Sequence, residues 1–163
     1  AKAEEYKSKA LEIYQRLVEA TPEAFEPDLA ASYNNLGNLY SDTHNFAKAE
    51  EYFTKALEIR KRLAETNPEA FESNLAASYN NLGLLYYKTN DFAKAEECRT
   101  KALEIRKRLA EVNPESFESD LARSYNNLGL LYSDTNDFAK AEECYTKALE
   151  IYKRLTKNQP GSV

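Results

Sequence analysis

The 163 residues carry a net charge of −5, with 22 Lys+Arg and 27 Asp+Glu intermixed along the chain. No stretch gathers the Lys/Arg density that a phosphate backbone requires, which argues against nucleic acid as a partner, and no apolar run approaches the ~18 residues of a membrane span. Only 4 Gly and 5 Pro interrupt a composition rich in Ala, Glu, Leu and Lys, while 12 Tyr and 7 Phe supply bulky apolar surface without Trp or Met. That is the composition of a soluble, strongly helical protein.

Three blocks, 23–68, 69–114 and 115–160, align without a gap; the first two agree at 36 of 46 positions and the last two at 35. Residues 1–22 match the second half of a block, so that Ala3-Glu4-Glu5-Tyr6 repeats Ala49-Glu50-Glu51-Tyr52, and 161–163 form a short tail. A period of this length and fidelity predicts one all-α domain over 1–163. In it half a repeat and three whole ones stack because no single unit can bury its apolar face alone. Seven helices result, each antiparallel to the next.

Within each block the first helix is predicted over 28–42. Leu29, Tyr33, Leu36, Gly37 and Tyr40 fall on one face of a 3.6-residue period. Pro27 suits a first helical turn, and Ser73 and Ser119, at the same place in later blocks, are candidate caps. Gly37, Gly83 and Gly129 sit in mid-helix, where Gly costs about 1 kcal/mol against Ala. Their position on the apolar face predicts close approach of the partner helix near Ala49, Ala95 and Ala141. Thr43-His44-Asn45 forms the turn, and His44 reads as a surface turn residue.

The second helix is predicted over 46–65. Ala49, Phe53, Ala56, Arg60 and Leu63 edge its inner face, widened by Tyr52, Leu57 and Ile59. Outward charges four apart, Glu51/Lys55, Glu58/Arg62 and Lys61/Glu65, should each add only about 0.2–0.5 kcal/mol. Asn67-Pro68 ends the helix, because a residue before proline is pushed from helical dihedrals. The bridge 69–72 reads as too short for another element, with Phe25, Phe71 and Phe117 plugging the joints between repeats.

Tyr33-x2-Leu36-Gly37-x2-Tyr40 followed by Ala49, Phe53 and Ala56 resembles the tetratricopeptide repeat, with Tyr where that family usually has Trp. The signature recurs as Tyr79, Leu82, Gly83, Tyr86, Ala95 and Ala102, and as Tyr125, Leu128, Gly129, Tyr132, Ala141, Tyr145 and Ala148. Arg99 departs from it, standing where Phe53 and Tyr145 supply an aromatic. The period exceeds the usual one, and the Asn-Asn-Leu-Gly run looks most like the extended repeats of kinesin light chains and their prokaryotic relatives. The resemblance implies a right-handed α-α superhelix whose first helices line a groove for proteins or extended peptides.

By register, that groove would contain Ala31, Asn34, Asn35, Asn38, Ser41 and Asp42 in the first block. Ala77, Asn80, Asn81, Leu84, Tyr87 and Lys88 follow in the second, then Arg123, Asn126, Asn127, Leu130, Ser133 and Asp134. An Asn amide both donates and accepts, so a ladder of paired asparagines can hold a peptide backbone whatever its side chains. The bland alternative is that these amides bond neighbouring helices or stay solvated. The block-to-block differences at 31, 38, 41 and 42 and their successors read either as recognition positions or as drift. Tyr87 and Leu84 could supply an apolar pocket, Lys88 and Arg123 a basic rim. Asn38, Asn81 and Arg123 match the set with which relatives grip a terminal carboxylate, but Asn34 and Asn127 replace two of its basic residues, so a full clamp is not expected.

No catalytic set can be assembled. His44 is the only histidine, Cys98 and Cys144 have no histidine partner, no metal motif appears and no cofactor fingerprint surrounds the glycines. The two cysteines hold matching positions of adjacent repeats, roughly 8–10 Å apart by helix spacing, too far for a disulfide. Reduced thiols favour the cytoplasm. The chain lacks an initiator Met, a signal peptide and an N-x-Ser/Thr acceptor, and it begins inside a helical pattern, which suggests an excised fragment. A non-enzymatic protein- or peptide-binding scaffold is therefore expected. The alternative is a structural spacer or end-to-end self-assembling array, including a consensus-like or designed repeat with no natural partner.

Overall fold

A computed structural model describes residues 2–157; the tail expected at 161–163 and the last residues of the third block lie outside them. Seven helices fill the described residues, with no strand: α1 (Lys2–Ala20), α2 (Pro22–Asp42), α3 (Phe46–Thr66), α4 (Pro68–Lys88), α5 (Phe92–Val112), α6 (Pro114–Asp134) and α7 (Phe138–Lys157).

The first helices begin six residues earlier than their periodicity suggests. The bridge 69–72 is the opening turn of α4, and Pro22, Pro68 and Pro114 each sit at the first helical position, where the missing N–H costs nothing. Pro27 therefore lies inside α2, not in its first turn. Ser73 and Ser119 likewise lie inside α4 and α6. The caps are Asn67, whose Oδ1 accepts from Ala70 N at 3.2 Å, and Asn113, which accepts from Ser116 N at 3.1 Å.

Each turn from a first to a second helix repeats one geometry. Asn45 N donates to Tyr40 O at 2.8 Å and His44 N to Ser41 O at 3.2 Å, the paired bonds of a Schellman stop. His44, Asn90 and Asn136 occupy its left-handed position, with φ of 59°, 61° and 62°. Asn and His tolerate that region better than most side chains, which explains why a histidine can stand there. Asn45, Asp91 and Asp137 then cap the next helix by accepting from Lys48, Lys94 and Lys140 N.

The chain divides into two compact units, Ala1–Leu85 and Tyr86–Val163. In the first, α1 packs on α2 and α2 on α3. Ala30, Leu36, Ala49, Phe53 and Ala56 are buried, and Tyr40 stacks on Tyr52 with ring centroids 5.5 Å apart. Gly37 lies against α3, and the ring of Phe53 is nearest to it: an added Cβ would lie 2.5 Å away. In the second unit α6 packs between α5 and α7. Its core joins Ala95, Leu103, Tyr125, Leu128, Leu131, Cys144, Ala148 and Ile151. At Gly129 the approaching ring is that of Tyr145, 2.8 Å from an added Cβ.

Surface charges follow the expected pattern only in part. Lys55 pairs with Glu51 at 2.5 Å, but Arg62 reaches across to Glu26 on α2 at 2.7 Å instead of bonding Glu58. Lys61 lies over the Tyr79 ring, 5.7 Å from its centroid. Phe71 is half-buried in a cavity of about 420 Å³ with Glu26, Arg62, Leu63 and Thr66, a partial plug rather than a tight one. Cys98 is half-buried and Cys144 buried, neither in a disulfide, and burial pushes the Cys144 thiol above its ordinary value.

Candidate peptide-binding faces of the first helices

In the first unit the asparagines sit where the first helices meet. Asn81 Nδ2 donates to Asn34 Oδ1 at 2.7 Å, an amide–amide bond between α4 and α2. Asn34, Asn80 and Asn81 are half-buried, whereas Asn35, Asn38 and Leu84 are exposed. The Asn35 carbonyl accepts from Lys7 Nζ at 3.1 Å. Ala31 and Ala77 are half-buried and Asp42 exposed, while Ser41 is buried.

α3 supports this face from behind. Arg60, half-buried on the inner edge of α3, donates from Nη1 to Ser78 Oγ at 2.8 Å and to the Asn74 carbonyl at 3.3 Å. Burial holds its guanidinium below the usual arginine range. A charged donor into a buried hydroxyl is among the stronger neutral–ionic bonds, so α4 is set at a fixed register against α3.

The second unit repeats the arrangement and adds a cluster of its own. Arg106 Nη1 donates to Ser124 Oγ at 2.6 Å, as Arg60 does to Ser78. Arg99, only 4% exposed, donates to the Asn127 carbonyl, and its guanidinium lies 4.6 Å from the centroid of the Tyr87 ring. The Tyr87 hydroxyl in turn donates to the Asp134 carboxylate. That bond raises the Tyr87 hydroxyl above its ordinary pKa, and burial lowers Arg99.

Arg99 is thus a desolvated cation whose charge is met by a carbonyl, a π face and, through Tyr87, a carboxylate. In the sequence Arg99 stands out only as a departure from an aromatic position. Its partners were marked by the one block in which Tyr87 replaces serine. The other expected residues lie as follows. Asn126 and Asn127 are half-buried, Leu130 and Lys88 exposed, and Ser133 half-buried. Arg123 is exposed and ion-paired with Asp120, one turn earlier on α6. Among the described residues no three His, Cys, Asp or Glu side chains converge as a metal site, and no helix is long and apolar enough to cross a membrane.

The sequence matches the tetratricopeptide repeat family over residues 1–62, 28–108 and 74–154. It belongs to the tetratricopeptide repeat family. The crystal structure of BtubC (BKLC) from P. vanneervenii is similar over 97% of this chain, with 31% identity and a TM-score of 0.72. The chain spans 61% of that protein's length. The N-terminal domain of stress-induced protein-1 (STI-1) from C. elegans shares the fold over 81% of this chain and 95% of its own, at 22% identity and a TM-score of 0.59. No curated protein matches the sequence. The fold class is therefore an all-α tetratricopeptide solenoid of paired helices. Tetratricopeptide repeats generally mediate protein–protein interaction and are typically non-enzymatic scaffolds.

Proposed function

We propose that the chain is a scaffold whose first helices hold an extended segment of a partner protein, chiefly through the asparagine amides. The bond between Asn81 and Asn34 carries this reading. It uses one donor of Asn81 and one acceptor of Asn34, while each amide has two donors and two acceptor lone pairs. The Asn34 amino group and the Asn81 carbonyl oxygen thus complement the C=O and N–H of a single peptide group. Leu84 beside them, 43% exposed, offers apolar contact to a side chain of the bound segment. In the second unit, Leu130, 44% exposed, stands with Asn126 and Asn127, and Tyr87 and Arg123 add an aromatic face and a basic edge. Asn35, Asn38 and Lys88 border these faces. Two cysteines outside any disulfide fit a reducing compartment, and we infer a cytoplasmic location.

The same bond favours one other reading, a spacer in which the asparagines only tie helices together. A peptide-array screen against the wild-type chain and an Asn34→Ala/Asn81→Ala variant separates the two. Loss of peptide signal with helicity retained supports the scaffold. A stability loss with no peptide bound by either protein supports the spacer.

A further inference from the structure

One arrangement of side chains occurs in both units, with a single ring missing from the second. In the first unit Tyr52 of α3 packs on two tyrosines of α2. Its ring stacks on Tyr40, centroids 5.5 Å apart and 6° from parallel, and tilts against Tyr33 at 6.0 Å. Lys55 lies over the Tyr52 and Tyr33 rings at 5.4 and 5.8 Å, and Lys48 over Tyr40 at 4.8 Å. Glu51 pairs with Lys55, and the Tyr40 hydroxyl donates to Glu4 of α1 at 2.8 Å. Tyr52 is half-buried, so the place of its ring opens to solvent.

The second unit rebuilds the frame. Tyr125 and Tyr132 of α6 stand for Tyr33 and Tyr40. Lys147 lies 5.7 Å from the Tyr125 centroid and Lys140 4.9 Å from that of Tyr132. Lys147 bonds Glu143, and the Tyr132 hydroxyl donates to Glu96 of α5 at 2.8 Å. In Tyr52's place stands Cys144, which has no ring. The side of α7 that contributes is the one joined to the core through Cys144 and Ala148, not its exposed side.

One cation is added. Lys107 of α5 lies 5.6 Å from the Tyr125 centroid, where the first unit has uncharged Gln15 donating to the Tyr33 hydroxyl at 3.1 Å. Its charge reaches the same rim. The Glu143 carboxyl is held below its ordinary value chiefly by the Lys147 bond and further by Lys107.

We propose that this slot takes an aromatic side chain of a partner protein, with an acidic residue beside it in that partner's sequence. Tyr52 is the template for the ring, because its stacking tyrosines and its covering lysine all recur around Cys144. Lys55 coexists with that ring at the distance Lys147 keeps from Tyr125, so only Lys107 has to move aside. The acidic neighbour follows from Lys107, whose ammonium can exchange the Tyr125 face for a carboxylate. A single stacked ring holds a free small molecule weakly, whereas a side chain anchors a larger interface. The slot uses none of the asparagine amides and is a second site.

The test is NMR titration of the full chain with the capped peptide acetyl-Asp-Tyr-Asp-amide. Saturable shifts are expected at the amides of Tyr125, Tyr132 and Cys144, and an Asp-Ala-Asp peptide should leave them unmoved. Lys107→Gln should weaken binding roughly twofold to fivefold, the scale of one exposed ion pair, and should not change binding of an Asn-Tyr-Asn peptide. Cys144→Tyr fills the slot from within, so it should raise the urea midpoint and abolish the shifts. Absent shifts, shifts that survive Cys144→Tyr, or equal binding of Asp-Ala-Asp overturn the proposal. A lowered midpoint for Cys144→Tyr does so too, because the ring then has no place. Tighter binding of 4-hydroxyphenylacetate than of the peptide overturns the partner protein as occupant.

Discussion

The guanidinium of Arg99 lies 4.6 Å from the centre of the Tyr87 ring, and Tyr87 is anchored by its hydroxyl to Asp134. A buried cation at a position that other repeats fill with an aromatic is tolerated because this ring and the Asn127 carbonyl replace lost water. Removing either partner should therefore uncover the cost. Arg99→Ala is expected to destabilise the chain by about 2–4 kcal/mol, in the range for emptying a buried, hydrogen-bonded site. Tyr87→Phe, which keeps the ring, should cost under about 1 kcal/mol. A double-mutant cycle between Arg99→Ala and Tyr87→Ala, read by urea unfolding, should give a coupling of about 0.5–2 kcal/mol. Strict additivity would show that the stacking contributes nothing.

The surroundings of two glycines predict opposite outcomes for one substitution. Phe53, whose ring lies 2.5 Å from a Cβ built on Gly37, is 3% exposed and cannot move aside. Gly37→Ala should cost about 1–3 kcal/mol by overpacking, against a helix-propensity gain of about 1. Tyr145, which meets a Cβ on Gly129, faces the open side of α7 and can swing outward. Gly129→Ala should be neutral or stabilising. Thermal denaturation of the two variants decides it, and equal losses would contradict the packing described.

Tyr40 couples the first unit to alkaline pH. Its hydroxyl donates to Glu4, and that bond together with burial pushes its pKa up to about 12. A group whose folded pKa is raised above the unfolded value near 10 stabilises the fold fully below pH 10. The contribution falls away as pH climbs from there towards 12. Glu4→Gln removes the largest cause, so tyrosinate absorbance should show one tyrosine titrating earlier, with unfolding moved to lower pH. An unchanged titration curve would exclude the bond.

Helix ends provide a fourth check. Asn67→Ala and Asn113→Ala should each cost about 1 kcal/mol as lost caps. Ser73→Ala and Ser119→Ala, inside the helices, should be close to neutral. Replacing His44 by Gly should stabilise by up to about 1 kcal/mol, because Gly adopts a positive φ without strain.

Much of this could be read from the repeat, and the exceptions have physical causes. The second helices fall within a residue of their predicted ends, because apolar period and Asn-Pro stop agree there. The first helices begin earlier than predicted because Pro27 looks like an N-terminal residue, while the true first position is taken by Pro22. The periodic apolar face starts only at Leu29, so the preceding turns leave no pattern. The asparagine pairs were legible as a ladder, but not the bond from Asn81 to Asn34, which joins residues 47 apart in sequence. Arg60 was placed on the inner face by spacing alone. Its partner Ser78, and the Tyr87–Arg99–Asp134 cluster, depend on which helices become neighbours.

The central claim is that the Asn34–Asn81 pair grips a ligand's backbone, and backbone substitution in the ligand tests it most directly. A peptide selected from the array would be resynthesised with single amide-to-ester replacements along its length, and each version titrated into wild type and Asn81→Ala. If the pair binds a peptide group, one ester should weaken binding to wild type by roughly tenfold, as loss of one buried hydrogen bond does. That same ester should leave Asn81→Ala unaffected. Ester scans that are flat in wild type, or equally deep in both proteins, would contradict the account.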